Sequence, residues 1–381
     1  MNRNKYILII IICALFSACI ETYEPEIVPN DFSNYVVSGR VTSEEGYQYI
    51  SVSKTTPLNT FDEDPVSNCT VTILDENSNA FHCEEYEKGK YRVWMSKSDL
   101  VVGRLYMLNI ETNEGDILIS DYVEMQPVGD IDAVYYQRED VPRLMTRIPD
   151  TTIGIQFYID LHGDKLDSKF YKIELTETWE YHVEQPMRIM YDGITIHYYD
   201  PPDSSKMVCW RTINISDLFL VSTEYLSNNE YKMEPLNYVS NKTQRLKYLY
   251  SLNVKQFSLS KEAYTYWKHL QKNSSQNGGL YVSQPIKIQG NIYNLDKPEQ
   301  SVLGMFYASD VITKRIFVKD VEDLDIDAPK CQTVWLKWGI HSITKNDIPA
   351  YLSPSFGLLT LPCVDCPRMG GTTTKPDFWP Y

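Results

Sequence analysis

The sequence predicts a mainly β protein: an N-terminal sandwich of immunoglobulin or transthyretin-like type, then a larger antiparallel β-rich domain with one short helix. Three observations lead there. Short runs of β-branched and aromatic residues succeed one another with turn-forming residues between them. Aromatic content is high, with 29 Tyr, 7 Trp and 12 Phe in 381 residues, and tyrosine favours pleated, half-buried surfaces. One segment alone breaks the β pattern with a helical period.

The chain opens MNRNKYILIIIICALFSACIETYEPE. Arg3 and Lys5 precede an apolar stretch, Tyr6 to Phe16, and the small residues Ser17-Ala18 stand directly before Cys19. This is signal-peptide anatomy over residues 1–18, because the apolar part falls well short of the roughly 20 residues a spanning helix needs. A simple membrane anchor is the competing reading, and that length argues against it. Small residues immediately before a cysteine resemble a bacterial lipobox, although Phe16 stands where leucine is usual. Cys19 is then the lipidation site, and its acyl chains tether the mature protein without spanning the bilayer. Residues 19–31 hold Glu21, Glu24, Glu26 and two prolines, a composition suited to an extended acidic tether.

Removal of residues 1–18 takes away Arg3 and Lys5, leaving 34 basic against 51 acidic side chains, or −17. Such a surface repels nucleic acid and anionic lipid. The length exceeds what one core usually organises, so two domains are expected, 32–127 and 128–381.

Strands are predicted at 35–41, 47–55, 69–74, 91–95, 105–112 and 116–125, with AFHCEEYE at 80–87 returning from the turn DENSN as a hairpin partner of 69–74. Gln126-Pro127 closes this block. Beyond it, strands are predicted at 154–163 and 170–183, and Leu246, Tyr248, Tyr250, Leu252 and Val254 alternate with mostly polar neighbours, a period of two. The helix is expected after Ser260, a serine N-cap, with Glu262 in the first turn, Ala263, Trp267 and Leu270 on one face, and Asn277-Gly278-Gly279 as a stop. The acidic run 319–329 lacks the mid-loop glycine of a calcium hand and is expected as a solvated loop. An aromatic stretch with Trp179, Tyr181, Tyr198 and Tyr199 around an expected loop, Tyr191 to Pro202, could present a binding face; core packing accounts equally well for the first two.

Catalytic motifs are missing. There is no phosphate-binding glycine loop, no H-E-x-x-H, no G-x-S-x-G elbow and no dinucleotide fingerprint, and the six histidines are scattered. Asp160-Leu-His162-Gly-Asp164 is the best metal-like cluster, since alternate strand positions point the same way, but it equally suits a strand end before a glycine turn. Carboxylates distant in sequence can still pair for glycoside hydrolysis, so a surface hydrolase acting on glycan or peptide is the alternative to a binding protein. The expectation is a protein that is not an enzyme, with no catalytic residue, no metal and no cofactor.

The cysteines carry more. Cys13 leaves with the signal and Cys19 takes lipid, so Cys69, Cys83, Cys209, Cys331, Cys363 and Cys366 remain as disulfide candidates in an exported chain. The hairpin places Cys69 nearly opposite Cys83. Cys363 and Cys366 either close on each other or capture Cys209 and Cys331; a four-cysteine zinc site is the sharper alternative and lacks a second close pair.

The chain resembles the domain of unknown function 4249 family of Bacteroidota outer-membrane lipoproteins. The resemblance is carried by Cys19-Ile-Glu-Thr-Tyr-Glu-Pro-Glu-Ile27, by Tyr250-Ser-Leu-Asn-Val with the following Leu-Ser-Lys-Glu-Ala-Tyr-Thr-Tyr-Trp267, and by Pro285-Ile-Lys-Ile-Gln-Gly-Asn-Ile292. Val302-Leu-Gly-Met-Phe306, Cys363-Val-Asp-Cys366, Gly370-Gly371 and Lys375-Pro-Asp-Phe-Trp379 add to it. It implies an outer-membrane lipoprotein, surface-exposed, working as a binding or accessory subunit beside a TonB-dependent transporter in nutrient capture, with no catalytic residues to carry over.

Overall fold

The computed structural model describes residues 34–56, 64–143, 150–163, 168–275 and 288–380. The signal segment 1–18, Cys19, the tether 19–31, Asp164, the Asn277-Gly278-Gly279 stop and the start of the Pro285–Ile292 run lie outside the described residues. Strands dominate, and Lys261–Ser275 is the one α-helix among the described residues.

Inward-facing alternate residues build the first sandwich. In Gly46–Lys54, Gln48, Ile50 and Val52 are buried while Tyr47 and Tyr49 face out; in Leu105–Glu111, Tyr106, Leu108 and Ile110 are buried. One sheet runs in the order 303–309, 35–42, 46–54, 90–95, 84–87; the facing sheet runs 292–294, 117–120, 105–111, 70–75, 80–82. Tyr35, Val37, Ile73, Tyr106, Leu108 and Phe306 meet between them. The sandwich is thus not built from residues 35–125 alone, since one strand of each sheet comes from far along the chain. Leu303–Ser309 lies parallel to Tyr35–Thr42, an exception to the antiparallel pattern. Gly304 makes that approach feasible: its φ is +104°, and a Cβ there would lie 1.8 Å from the Val37 carbonyl oxygen.

The hairpin after 70–75 forms, with Ile73 opposite Phe81. Its second arm divides at Cys83. Ala80–His82 stays with Thr70–Asp75, whereas Glu84–Glu87 crosses to pair with Lys90–Met95 in the other sheet.

The second sandwich packs the sheet 130–143, 150–162, 230–240 on the sheet 208–222, 170–182, 249–258, 311–319. Its core joins Ile155, Phe157, Ile159 and Leu161 to Leu175, Tyr250, Leu252 and Val254, and Phe157 stacks on Tyr250 at 5.5 Å. The alternation legible around Tyr250 is the buried face of Leu249–Ser258. Leu246 belongs instead to a preceding 3-10 turn, Gln244–Leu246. Polar groups stitch the two sandwiches: Ser258 Oγ donates to the Gln126 carbonyl, Gln256 Nε2 to the Gly129 carbonyl at 2.8 Å, and Arg40 of the first pairs with Glu174 of the second at 2.5 Å.

The helix follows its sequence signals. Ser260 Oγ accepts from Ala263 N–H at 3.2 Å, and Ala263, Tyr264 and Trp267 pack toward Met305 and Tyr307. In the acidic run 319–329, Val321, Leu324 and Ile326 turn in against the second core, so that segment is partly packed rather than wholly solvated.

The expected loop Tyr191–Pro202 is a hairpin: Met187–Tyr191 pairs with Ile196–Asp203 around a turn at Asp192. Asp192 accepts from the Ile194 and Thr195 N–H groups, and the turn closes there. These strands join Ala350–Leu352, Leu358–Leu359 and Thr333–Val334 in a small sheet of their own. No helix among the described residues is long and apolar enough to cross a membrane.

Candidate functional site

The outward face of the first sandwich carries an aromatic cluster. Period-two alternation that buries Gln48 and Ile50 exposes Tyr47 and Tyr49, and on the neighbouring strand it exposes Trp94. Register sets Tyr47 opposite Trp94 and Tyr49 opposite Arg92, and Glu84 opposite Arg92 on the edge strand. Tyr47 and Trp94 meet edge-on at 5.2 Å and Tyr49 and Tyr86 at 5.9 Å. The Arg92 guanidinium lies 4.3 Å from the Tyr47 ring centre and 5.1 Å from that of Tyr86, and donates to Glu84 at 2.8 Å. Trp94 is 56% exposed and Tyr49 51%. Tyrosine, tryptophan and arginine on a rigid sheet are the residue types enriched where proteins bind partners, because they offer large, stiff, amphipathic contact area.

Several cavities lie elsewhere among the described residues, and four of them gather charged or aromatic side chains. One of about 880 Å³ runs beside the helix, between Lys172, Glu174 and Trp267. Lys172 donates to Glu174 at 3.0 Å and sits 4.0 Å from the Trp267 ring centre, while the Trp267 indole N–H is buried without a partner. Burial works against ionisation of Glu174, but Arg40 and Lys172 outweigh it and hold the carboxyl below its usual range.

A second cavity, of about 880 Å³, opens at the metal-like cluster. His162 Nδ1 pairs with Asp132 at 2.5 Å, and Asp160 accepts from the Tyr135 hydroxyl at 3.2 Å and the Met233 N–H at 2.9 Å. Asp160 and His162 are thereby drawn to separate partners. No group of three or more potential metal ligands assembles among the described residues.

A third cavity, of about 500 Å³, places Glu224 and Glu234 on one wall system with Lys261. Their environments differ. Lys261 holds Glu224 low through a 2.5 Å contact, whereas burial raises Glu234. The fourth cavity, of about 360 Å³, contains Trp179 and Arg211 and abuts the C-terminal tail. Trp179 and Tyr181 belong to the second core, while Tyr198 is 66% exposed on the hairpin 187–203.

The cysteine expectations divide. Cys209 bonds Cys366 and Cys331 bonds Cys363, so both tail thiols capture distant partners and pin the tail to the second sandwich. Cys69 and Cys83, expected as a pair, are free thiols. Register explains the correction: the ladder sets Thr72 against His82, and the Cys83 N–H donates to the Val71 carbonyl, so Cys83 faces position 71 and not 69. Burial pushes the Cys83 thiol up to about 12 and the Cys69 thiol upward, which leaves both poorly reactive. The aromatic face and the Trp179 cavity were not singled out from the sequence. The signal for the first was available in the alternation of Tyr47 and Tyr49 with Gln48 and Ile50.

The described residues thus make a mainly β protein of two sandwiches with an outward aromatic cluster and a disulfide-pinned tail. The family model for the domain of unknown function DUF4249 matches residues 20–315, and the chain belongs to that family. The match covers both sandwiches as far as the strand Val311–Lys319 and stops short of the tail cysteines. No curated protein matches the chain.

Proposed function

We propose that the protein is a surface-exposed outer-membrane lipoprotein, anchored through acylated Cys19, that serves as a non-catalytic binding or accessory subunit beside a TonB-dependent transporter in nutrient capture. The observation that carries this reading is the aromatic cluster Tyr47, Tyr49, Tyr86 and Trp94 on an outer sheet face. Four large rings held in contact by a sheet, with an arginine among them, bury much apolar area on docking and lose little side-chain freedom. The tether supplies the rest: confinement beside a barrel raises the local concentration to the order of millimolar, so a modest contact area suffices.

The test is purification of the tagged protein from detergent-solubilised outer membranes, with and without Tyr47→Ser and Trp94→Ser together. The reading expects a transporter barrel to accompany the parent protein and to be lost with the double variant. Repeated recovery of the parent protein alone would contradict it.

One observation favours a surface hydrolase instead. Glu224, held ionised, and Glu234, held toward its protonated form, border one cavity, and two carboxylates driven apart in this way suit base and acid roles. Hydrolysis of glycan or peptide substrates that disappears with Glu234→Gln would establish this second reading over the first.

A further inference from the structure

The cavity at Trp179 has a chemistry of its own, and it does not depend on the aromatic face or on the membrane reading. We infer that it is a binding site for a small compound bearing a carboxylate on a flat or apolar body. Trp179, Arg211, Ile213, Gln244, Arg245 and Met369 border a space of about 360 Å³, within the range of small-molecule sites.

Its two guanidiniums are not equivalent. Arg245 Nη1 donates to both carboxylate oxygens of Glu177, at 2.8 and 3.0 Å, and Glu177, 1% exposed, also accepts from the Tyr250 hydroxyl at 2.8 Å. That charge is answered within the protein. Arg211 is different: Nη1 donates to the Met369 carbonyl at 2.9 Å, and no acidic side chain pairs with it among the described residues. A carbonyl leaves the positive charge uncompensated, and most of the five N–H donors of the guanidinium remain for a ligand. No acidic side chain among the described residues meets Arg211 at this cavity, so its guanidinium stands open to an external anion.

Two further features define the rest of the ligand. The Arg211 guanidinium carbon stands 5.6 Å from the Trp179 ring centre, so a carboxylate held in its fork brings a flat or apolar body against Trp179, Ile213 and Met369. Gln244, also in the lining, has its Oε1 buried with no hydrogen-bond partner, although its Nε2 donates to the Pro329 carbonyl at 3.2 Å. A buried orphan acceptor is costly, and a ligand N–H or O–H would relieve it.

The walls are fixed before anything binds. Arg211 lies two positions from Cys209 and Met369 three positions past Cys366, and these cysteines are bonded. The bond therefore ties the arginine wall to the tail wall, which lowers the ordering cost of binding.

The test is calorimetric titration of the purified protein with N-acetyl-L-phenylalanine, its neutral amide and inorganic phosphate. Saturable binding of the carboxylate is expected, weakened at least tenfold in the amide and in Arg211→Gln, and unchanged in Arg188→Gln, an exposed control. Circular dichroism checks folding; should Arg211→Gln fail it, Arg211→Lys, which keeps the charge and loses the fork, is read instead, with the same loss expected. No saturable binding, equal binding of the amide, stronger binding of phosphate than of the carboxylate, or retention of affinity in the Arg211 variants would overturn the inference.

Discussion

Replacing Cys209 and Cys366 by serine removes the longest covalent link in the described chain, and the structure gives its worth. The two positions are 157 apart, but the Cys331–Cys363 bond, spanning 32, shortens the covalent path between them to about 126. Loop-closure entropy for a ring of that size predicts a loss of about 5 kcal/mol at 25 °C, against about 4 kcal/mol for the shorter loop of Cys331 and Cys363. Measured losses commonly fall at about 2–4 kcal/mol, and the Cys209/Cys366 variant is expected to be the less stable of the two. Cys209, Cys363 and Cys366 are fully buried, and each serine hydroxyl left without a partner there adds about 1–3 kcal/mol. Urea unfolding followed by tryptophan fluorescence measures both losses, and limited proteolysis reports whether the tail from Leu361 onward comes away. A Cys209/Cys366 variant destabilised by less than about 1 kcal/mol, with a tail still resistant to protease, would refute the claim that this bond holds the tail to the second sandwich.

Other consequences are equally direct. Among the six described cysteines, unfolding without reductant should expose two alkylatable thiols, Cys69 and Cys83, with four more appearing only after reduction; in the folded protein at pH 8 both should resist iodoacetamide, since burial raises them. Mass spectrometry of the alkylated protein counts them. Glu177→Ala leaves Arg245 and Tyr250 without their shared acceptor and should cost about 2–3 kcal/mol in urea unfolding, below the full buried-pair penalty because Arg245 retains some water contact. The Asp192 carboxyl, held by the Thr195 and Ile194 N–H groups and by His197, is lowered to about 2. Its stabilising effect is therefore complete above the ordinary aspartate value near 3.9 and is lost as pH falls through about 2. A carbon-detected NMR titration of Asp192 with a midpoint near 4 would contradict that assignment.

What was legible in the sequence was what depends on near neighbours. The period-two run at Tyr250, Leu252 and Val254 marks a buried face whatever the partner strand. Ser260 announces its helix because the capping bond spans three residues. Register was less accessible. Moving the hairpin centre from Glu76 to Asn77 shifts the opposing residue by two, and that shift alone separates Cys69 from Cys83. Contacts between distant segments left no local mark: nothing near Val302-Leu303-Gly304 states that it will lie along Tyr35–Thr42. Arg211 likewise looks like any strand arginine, and its lack of an acidic partner is a property of the assembled walls and not of its neighbours in sequence.

The central claim is that the outer aromatic face docks a membrane barrel, and photo-crosslinking in intact cells tests it most directly. A photoreactive phenylalanine at Trp94 should give one dominant adduct, to a TonB-dependent transporter, while the same probe at Ile194, 91% exposed on the hairpin 187–203, gives none. Adducts of equal yield from both positions, or no adduct from Trp94 to any barrel, would contradict it.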